Sequence, residues 1–252
     1  MKKNYGVSAL LALNNIDIYT KLAIDSILFQ TRQVDEFIII INGPNRYLIE
    51  QELIEHYGNE PIIKIFITEL GQLAYALNYG LCLCNYEYVL RMDSDDISNR
   101  DRVEKQLNYI YKNGLDVLGC DINIINSDGE IIGTKKYPTG IQIDKKIPFM
   151  NVFCHPSVIF RRDKILSVRG YNAGYNSEDY DLWLRLSRDG VKWDNLSEIL
   201  FRYRIHDSTA QRKPLAYAET ASLMLRECLL RKSLIYFFAM LVAIAKFFFR
   251  SR

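Results

Sequence analysis

The stretch "YEYVLRMDSDDIS", Tyr86 to Ser98, decides how the chain is read. Its first half, "YEYVLR", predicts a strand over Tyr86 to Arg91, and its second half packs Asp93, Asp95 and Asp96 into four positions. Three carboxylates this close repel one another and raise each other's pKa unless a cation sits among them. A divalent metal is the natural partner, and oxygen ligands suit magnesium or manganese. Two ordinary readings stand beside it. One is an acidic loop complementing the dipole of the next helix, worth about 0.3–1 kcal/mol per charge. The other is an EF-hand, matched by Asp93, Asp95, Asp101 and Glu104. It is excluded because Ile97 and Ser98 occupy an oxygen-ligand and the glycine position, and no apolar helix precedes the loop.

Upstream, Val7 to Leu13 reads as a buried strand, and Ile24, Ile27, Leu28 and Thr31 recur at helical spacing. "EFIIII", Glu36 to Ile41, is a second strand that stops at the turn-forming "NGPN". Ile62 to Phe66 is a third. Leu73, Ala76, Leu77, Gly80, Leu81 and Cys84 then mark one face of a helix. Apolar strands separated by single helices predict a parallel sheet covered on both faces, with ligands beyond the carboxyl ends of the strands, where the aspartates fall.

Downstream, Ser98 with Asp101 three residues on resembles an N-cap, and Val103, Leu107, Ile110 and Tyr111 line a helix that Gly114 can end. Leu115 to Gly133 alternates around "NSDG" and predicts an antiparallel hairpin or extra strands rather than another β-α-β unit. Residues 1–215 are expected to form one α/β domain, followed by a helical tail over 216–252.

Composition bounds the function. Lysines and arginines number 32 against 30 aspartates and glutamates, so no electrostatic case exists for a nucleic-acid partner. The five cysteines are odd in number and lack a CxxC pair, which predicts reduced thiols in a cytoplasmic protein. The apolar segment of "MKKNYGVSALLALNN" is too short for a signal peptide and reads as the first strand.

"AIDSILFQT", "DEFIIIINGPN", "ELGQLAYALNYGL", "RMDSDDISNRDRVEKQ", "HPSVIFRR" and "GYNSEDYDLWLRLSRDG", in this order over residues 5–210, resemble the family 2 glycosyltransferases of GT-A fold. The "NGP" turn and the "EDYDLWLRL" string are similar to enzymes of bacterial capsule, exopolysaccharide and O-antigen assembly, including the amylovoran type. The resemblance implies transfer of a sugar, with inversion, from a nucleotide diphosphate donor, a UDP-hexose or UDP-N-acetylhexosamine, to a hydroxyl of a lipid-linked oligosaccharide.

It also implies residue roles. Asp93 and Asp95 would hold the ribose and a manganese- or magnesium-bound diphosphate, with His206 of "YRIHDS" completing the metal set. Asp179 would be the general base, with Glu178 orienting the acceptor or tuning the pKa; an ordinary helix N-terminus at Ser177 to Asp179 is the competing reading. Gly71 and Asn78 fall in the segment that approaches the nucleotide. Asn42 stands near the position where relatives carry a base-recognising aspartate; its amide can bond a uracil edge but carries no charge. His155 shapes the acceptor side or makes a structural hydrogen bond, and His56 is inert.

The tail ends "SLIYFFAMLVAIAKFFFRSR". Leu234 to Phe249 would give about 24 Å of apolar helix, short against a hydrocarbon core of about 30 Å. Flanked by Arg231, Lys232, Lys246, Arg250 and Arg252, it suits an interfacial helix on the cytoplasmic face of the inner membrane. A core helix, or a helix at a homodimer interface, is the alternative. Two other functions remain open at this level: a nucleotidyltransferase, for which "LALNNIDIYTK" is a poor phosphate loop, and a non-catalytic sugar-nucleotide-binding partner of an assembly complex.

Overall fold

The computed structural model describes residues 6–172, 176–205 and 214–250. β1 (Val7–Leu13) runs parallel between β2 (Glu36–Ile41) and β4 (Tyr88–Met92), and β3 (Ile63–Ile67) extends the parallel half beyond β2. Helices α1 (Ile18–Leu28), α2 (Arg46–Tyr57) and α3 (Leu73–Leu83) make the crossovers. Successive residues of β1 enter opposite cores. Ala9, Leu11 and Leu13 join the cluster containing Ile24 and Ile27 of α1, whereas Leu10 and Ala12 join that of Ala76, Leu77 and Leu81 of α3. Burial on both faces is why these strands are apolar throughout.

Past β4 the sheet changes direction. β8 (Ile159–Arg161) pairs antiparallel with β4, then β6 (Val117–Ile125), β9 (Trp193–Arg204) and the short β5 (Ile97–Ser98) follow, in the order β3-β2-β1-β4-β8-β6-β9-β5. The expected hairpin is β6 with β7 (Ile131–Lys135). The chain leaves β1 first toward β2 and later toward β4, so the crevice beyond the ends of β1 and β4 is a topological switch point. The three aspartates lie there.

Two local expectations are corrected. Ser98 is not an N-cap. It belongs to β5, where it pairs with Phe201 and its N–H donates to Ser26 Oγ at 3.1 Å, while α4 (Arg102–Asn113) starts after Asp101 and ends at Gly114, φ 61°. Pairing with β9, far away in sequence, overrides the local capping pattern. Thr31 is not on the α1 face. The helix stops at Leu28, and exposed Thr31 donates to Glu104 Oε2 at 2.7 Å.

The carboxy-terminal half adds α5 (Ile141–Lys146), α6 (Arg162–Ser167), α7 (Glu178–Arg188), α8 (Pro214–Arg231) and α9 (Leu234–Arg250). The tail is therefore two helices, broken at Lys232, whose φ is 50°. Met224, Tyr236 and Ala239 pack into the same apolar cluster as Leu182, Trp183 and Leu186 of α7. Charge fastens the contact as well: Glu227 of α8 is fully buried against Arg188, Arg226 and Arg231, and Arg226 also reaches Asp181 of α7. A buried carboxylate needs such partners.

Candidate active site

β4 ends at Met92, and the next four residues turn across the mouth of the sheet. One carboxylate oxygen from each of Asp93, Asp95 and Asp96 lies within 4.8 Å of the others. Asp96 is 1% exposed; its Oδ1 accepts from Arg204 N at 2.7 Å, but its Oδ2 has no hydrogen-bond partner among the described residues. Burial first, then the charges of Asp93 and Asp95, holds the Asp96 carboxyl well above the usual range. An orphaned, crowded carboxylate is what a divalent cation would satisfy, so this donor set fits a hard metal ion.

Arg91 supplies fixed positive charge. It is 1% exposed and pairs through Nη1 with Asp93, while Nε and Nη2 lack partners among the described residues. A lone arginine inside an apolar strand was the available sequence signal for it, because a charge is buried in such a strand only for a reason.

Asp93 faces a cavity of about 1150 Å³ whose lining includes Glu178 and Asp179. Both project from the first turn of α7. Asp179 Oδ2 accepts from Asn151 Nδ2 at 2.5 Å and Oδ1 from Tyr180 N at 2.7 Å. Burial raises the Asp179 carboxyl, these hydrogen bonds and Arg91 oppose the rise, and the net direction is upward. Glu178 is pushed up to about 7, by burial and then by the Asp179 charge. A carboxylate poised near neutrality is suited to taking a proton.

The helix start is held from outside. Ser177 occupies the N-cap position without capping; its Oγ donates to Glu219 Oε2 of α8 at 2.7 Å, and Asn176 N donates to the same oxygen at 3.0 Å. Pattern reasoning missed Glu219 and Asn151, because neither lies near Asp179 in sequence.

The remaining expected residues separate. Gly71 lines the cavity, and a Cβ there would meet nothing within 4 Å. Asn42 is 4% exposed at the end of β2, with its Oδ1 unpartnered among the described residues. Asn78 has both ends of its amide on the backbone of Tyr171, each bond 2.7 Å. Gly170, at φ +63°, is needed beside it, since a Cβ would come to 2.2 Å from Asn78 Oδ1. His155 Nε2 shares a 2.8 Å hydrogen bond with the Tyr171 hydroxyl, and burial holds its pKa well below the ordinary value, so it is neutral on the cavity wall. His56, on α2, lies outside the cavity lining. His206 lies outside the described residues.

An acidic triad at a strand end, one member of which shares a cavity with a pair of tunable carboxylates, is the arrangement of a group-transfer enzyme. The chain belongs to glycosyl transferase family 2, whose model matches residues 18–169, and it is a transferase. It is 44% identical over 242 residues to the O-antigen biosynthesis glycosyltransferase WbnJ of Escherichia coli, with 95% of each chain covered. It is 33% identical over 223 residues to the Escherichia coli UDP-Gal:alpha-D-GlcNAc-diphosphoundecaprenol beta-1,3-galactosyltransferase, covering 83% of this chain and 77% of that one. In fold it is similar to S. aureus TarS 1-349 in complex with UDP-GlcNAc, with a TM-score of 0.69, 17% identity, and 88% of this chain and 66% of that one covered. The GT-A architecture expected from the motifs is the one found.

Proposed function

We propose that this chain moves a hexose or N-acetylhexosamine from a UDP-sugar, with inversion, to a hydroxyl of a diphosphate-linked lipid oligosaccharide in bacterial O-antigen or capsule assembly. The observation that carries the reading is the cavity shared by Asp93, Glu178 and Asp179. The galactosyltransferase relative, named for a UDP-Gal donor and a diphosphoundecaprenol acceptor, supports the substrate classes. The TarS complex, named for UDP-GlcNAc, supports the donor type.

Asp93, Asp95 and Asp96 would hold manganese or magnesium, which stabilises, as a Lewis acid, the charge that gathers on a departing diphosphate. Asp179 accepts the proton of the attacking hydroxyl, Asn151 fixes the orientation of that carboxylate, and Glu178 tunes its basicity. Gly71, in the cavity lining, leaves the nucleotide room, whereas Asn42, buried outside that lining, would have to be uncovered to meet a uracil edge. Transfer assays with UDP-sugars and manganese test this. We expect product from the wild type and at least a hundredfold loss in Asp95→Ala or after chelation, on the order expected when an electrostatic contact to the leaving group is removed. Full activity in both cases would sink the metal role, and no product with any UDP-sugar would sink the donor reading.

The same reading places the enzyme peripherally on the cytoplasmic face of the inner membrane. No helix among the described residues is long and apolar enough to cross a membrane. Instead α9 exposes Leu234, Ile235, Phe238, Leu241 and Phe248, at 44–73% of their surface, along its outer side. An apolar strip of this kind beside lysines and arginines suits an anionic lipid surface. Flotation with anionic phospholipid vesicles should be lost in the doubly substituted Phe238→Asp, Leu241→Asp chain. Unaltered flotation, or a stable dimer that ignores vesicles, would assign this face to something else.

A further inference from the structure

The cavity continues outward past the catalytic carboxylates. Part of its wall is α9, which presents Ala239, Val242, Ala243 and Lys246, spaced as one helical face. Ala239 and Ala243 are small and buried there, and the adjoining side of the helix carries the exposed apolar strip. The β6–β7 hairpin contributes Lys135, which stacks 4.7 Å from the Tyr137 ring centroid at the cavity edge. Of the cationic side chains in this lining, Arg91 is buried against Asp93, whereas Lys135 is exposed and Lys246 half-buried, so these two stand toward solvent.

We propose that Lys246, together with Lys135 of the same cavity lining, forms the subsite for the diphosphate of the lipid-linked acceptor, and that the lipid chain leaves over the exposed apolar strip of α9. This rests on the acceptor class proposed above. The inner end of the cavity is crowded with carboxylates and repels a second diphosphate, so that group is drawn to the outer ammonium groups.

Connectivity sets a suitable scale. Lys246 Nζ lies 3.5 Å from Phe149 O, at the limit of a hydrogen bond, and Asn151, two residues further, holds Asp179. Two residues span at most about 7 Å of backbone, which keeps the cation and the base within reach of one acceptor sugar and its phosphates. An ammonium group has three donors, so an anion can readily replace the weak contact to Phe149.

The test uses two acceptors in detergent: a long-chain alkyl diphosphate of N-acetylglucosamine, and the matching alkyl glycoside without phosphate. In Lys246→Ala, KM for the diphosphate acceptor should rise about tenfold, the effect of losing one charge-assisted hydrogen bond. KM for the donor and the rate with the alkyl glycoside should hold, and Lys246→Arg should restore most of the loss. Lys135→Ala should act in the same direction. If the wild type prefers the diphosphate acceptor and Lys246→Ala, Lys135→Ala and the double variant keep that preference, the subsite is wrong while the acceptor reading stands. A wild type that makes product but is indifferent to the diphosphate overturns both. If the lysine variants weaken only vesicle binding, the groups read membrane headgroups and the proposal fails.

Discussion

Asp179→Asn is expected to cut sugar transfer by about 100- to 10,000-fold while donor binding is retained. The substitution keeps the volume of a side chain held by Asn151 and Tyr180 and removes its ability to take a proton; the new amide oxygen can still accept from Tyr180 N, while the Asn151 amide turns to offer its oxygen to the new NH2. Donor affinity, followed as a thermal shift, should stay within a small factor, because the triad lies on β4 and its following turn rather than on α7. Near-normal transfer by this variant would rule out Asp179 as the base. The pH profile supplies a second readout. Wild-type activity should fall on the acidic side as Asp179, held above the ordinary carboxylate range by burial, takes up a proton. Glu178→Gln removes the neighbouring negative charge and should move the acidic limb to lower pH, since the repulsion it contributes is mutual. The stability effect has the opposite sign. Between 4.5 and about 7 the folded chain keeps a proton on Glu178 that the unfolded chain has released, so stability declines as pH rises through this window. Glu178→Gln should flatten that decline.

The second large effect is expected far from the cavity. Glu227→Ala should lower stability by about 3 kcal/mol, a fall in Tm on the order of 10 °C, measured by thermal unfolding. Glu227 is fully buried and accepts from Arg188, Arg226 and Arg231, and its carboxyl is held below the ordinary range because these hydrogen bonds outweigh burial. Removal leaves three guanidinium groups around an empty site. Their side chains are 24–34% exposed, so water relieves part of the loss and the lower end of the range for broken buried pairs applies. Activity should fall as well, because α8 also carries Glu219, which holds Ser177 and Asn176 at the start of the catalytic helix. An unchanged Tm would show that α8 is not clamped to α7 through this carboxylate.

That coupling was not legible from the chain alone. Read linearly, residues beyond 215 looked like an appendage, because their apolar run is separated from "NSEDYDLWLRL" by about fifty positions. Folded, Arg226 joins the buried carboxylates Asp181 and Glu227 in one network, and Lys246 lines the cavity that contains Asp179. Asn78 illustrates the same limit. The family resemblance implied a nucleotide contact for it, yet its amide is bonded to the Tyr171 backbone, a partner 93 residues away.

What the sequence by itself determined is the set of local and repetitive features. The apolar strands, the helices at period 3.6, the hairpin at "NSDG" and the two acidic motifs all follow from neighbours a few residues apart, where periodicity and turn chemistry act. Tertiary structure alone decided that the sheet reverses direction beside β4, that Ser98 serves a strand rather than a helix start, and that Asp93 of "DSDD" shares one cavity with "SED". Those outcomes depend on pairings and burial between residues roughly a hundred positions apart, and on charges whose cost is settled only by which partners reach them.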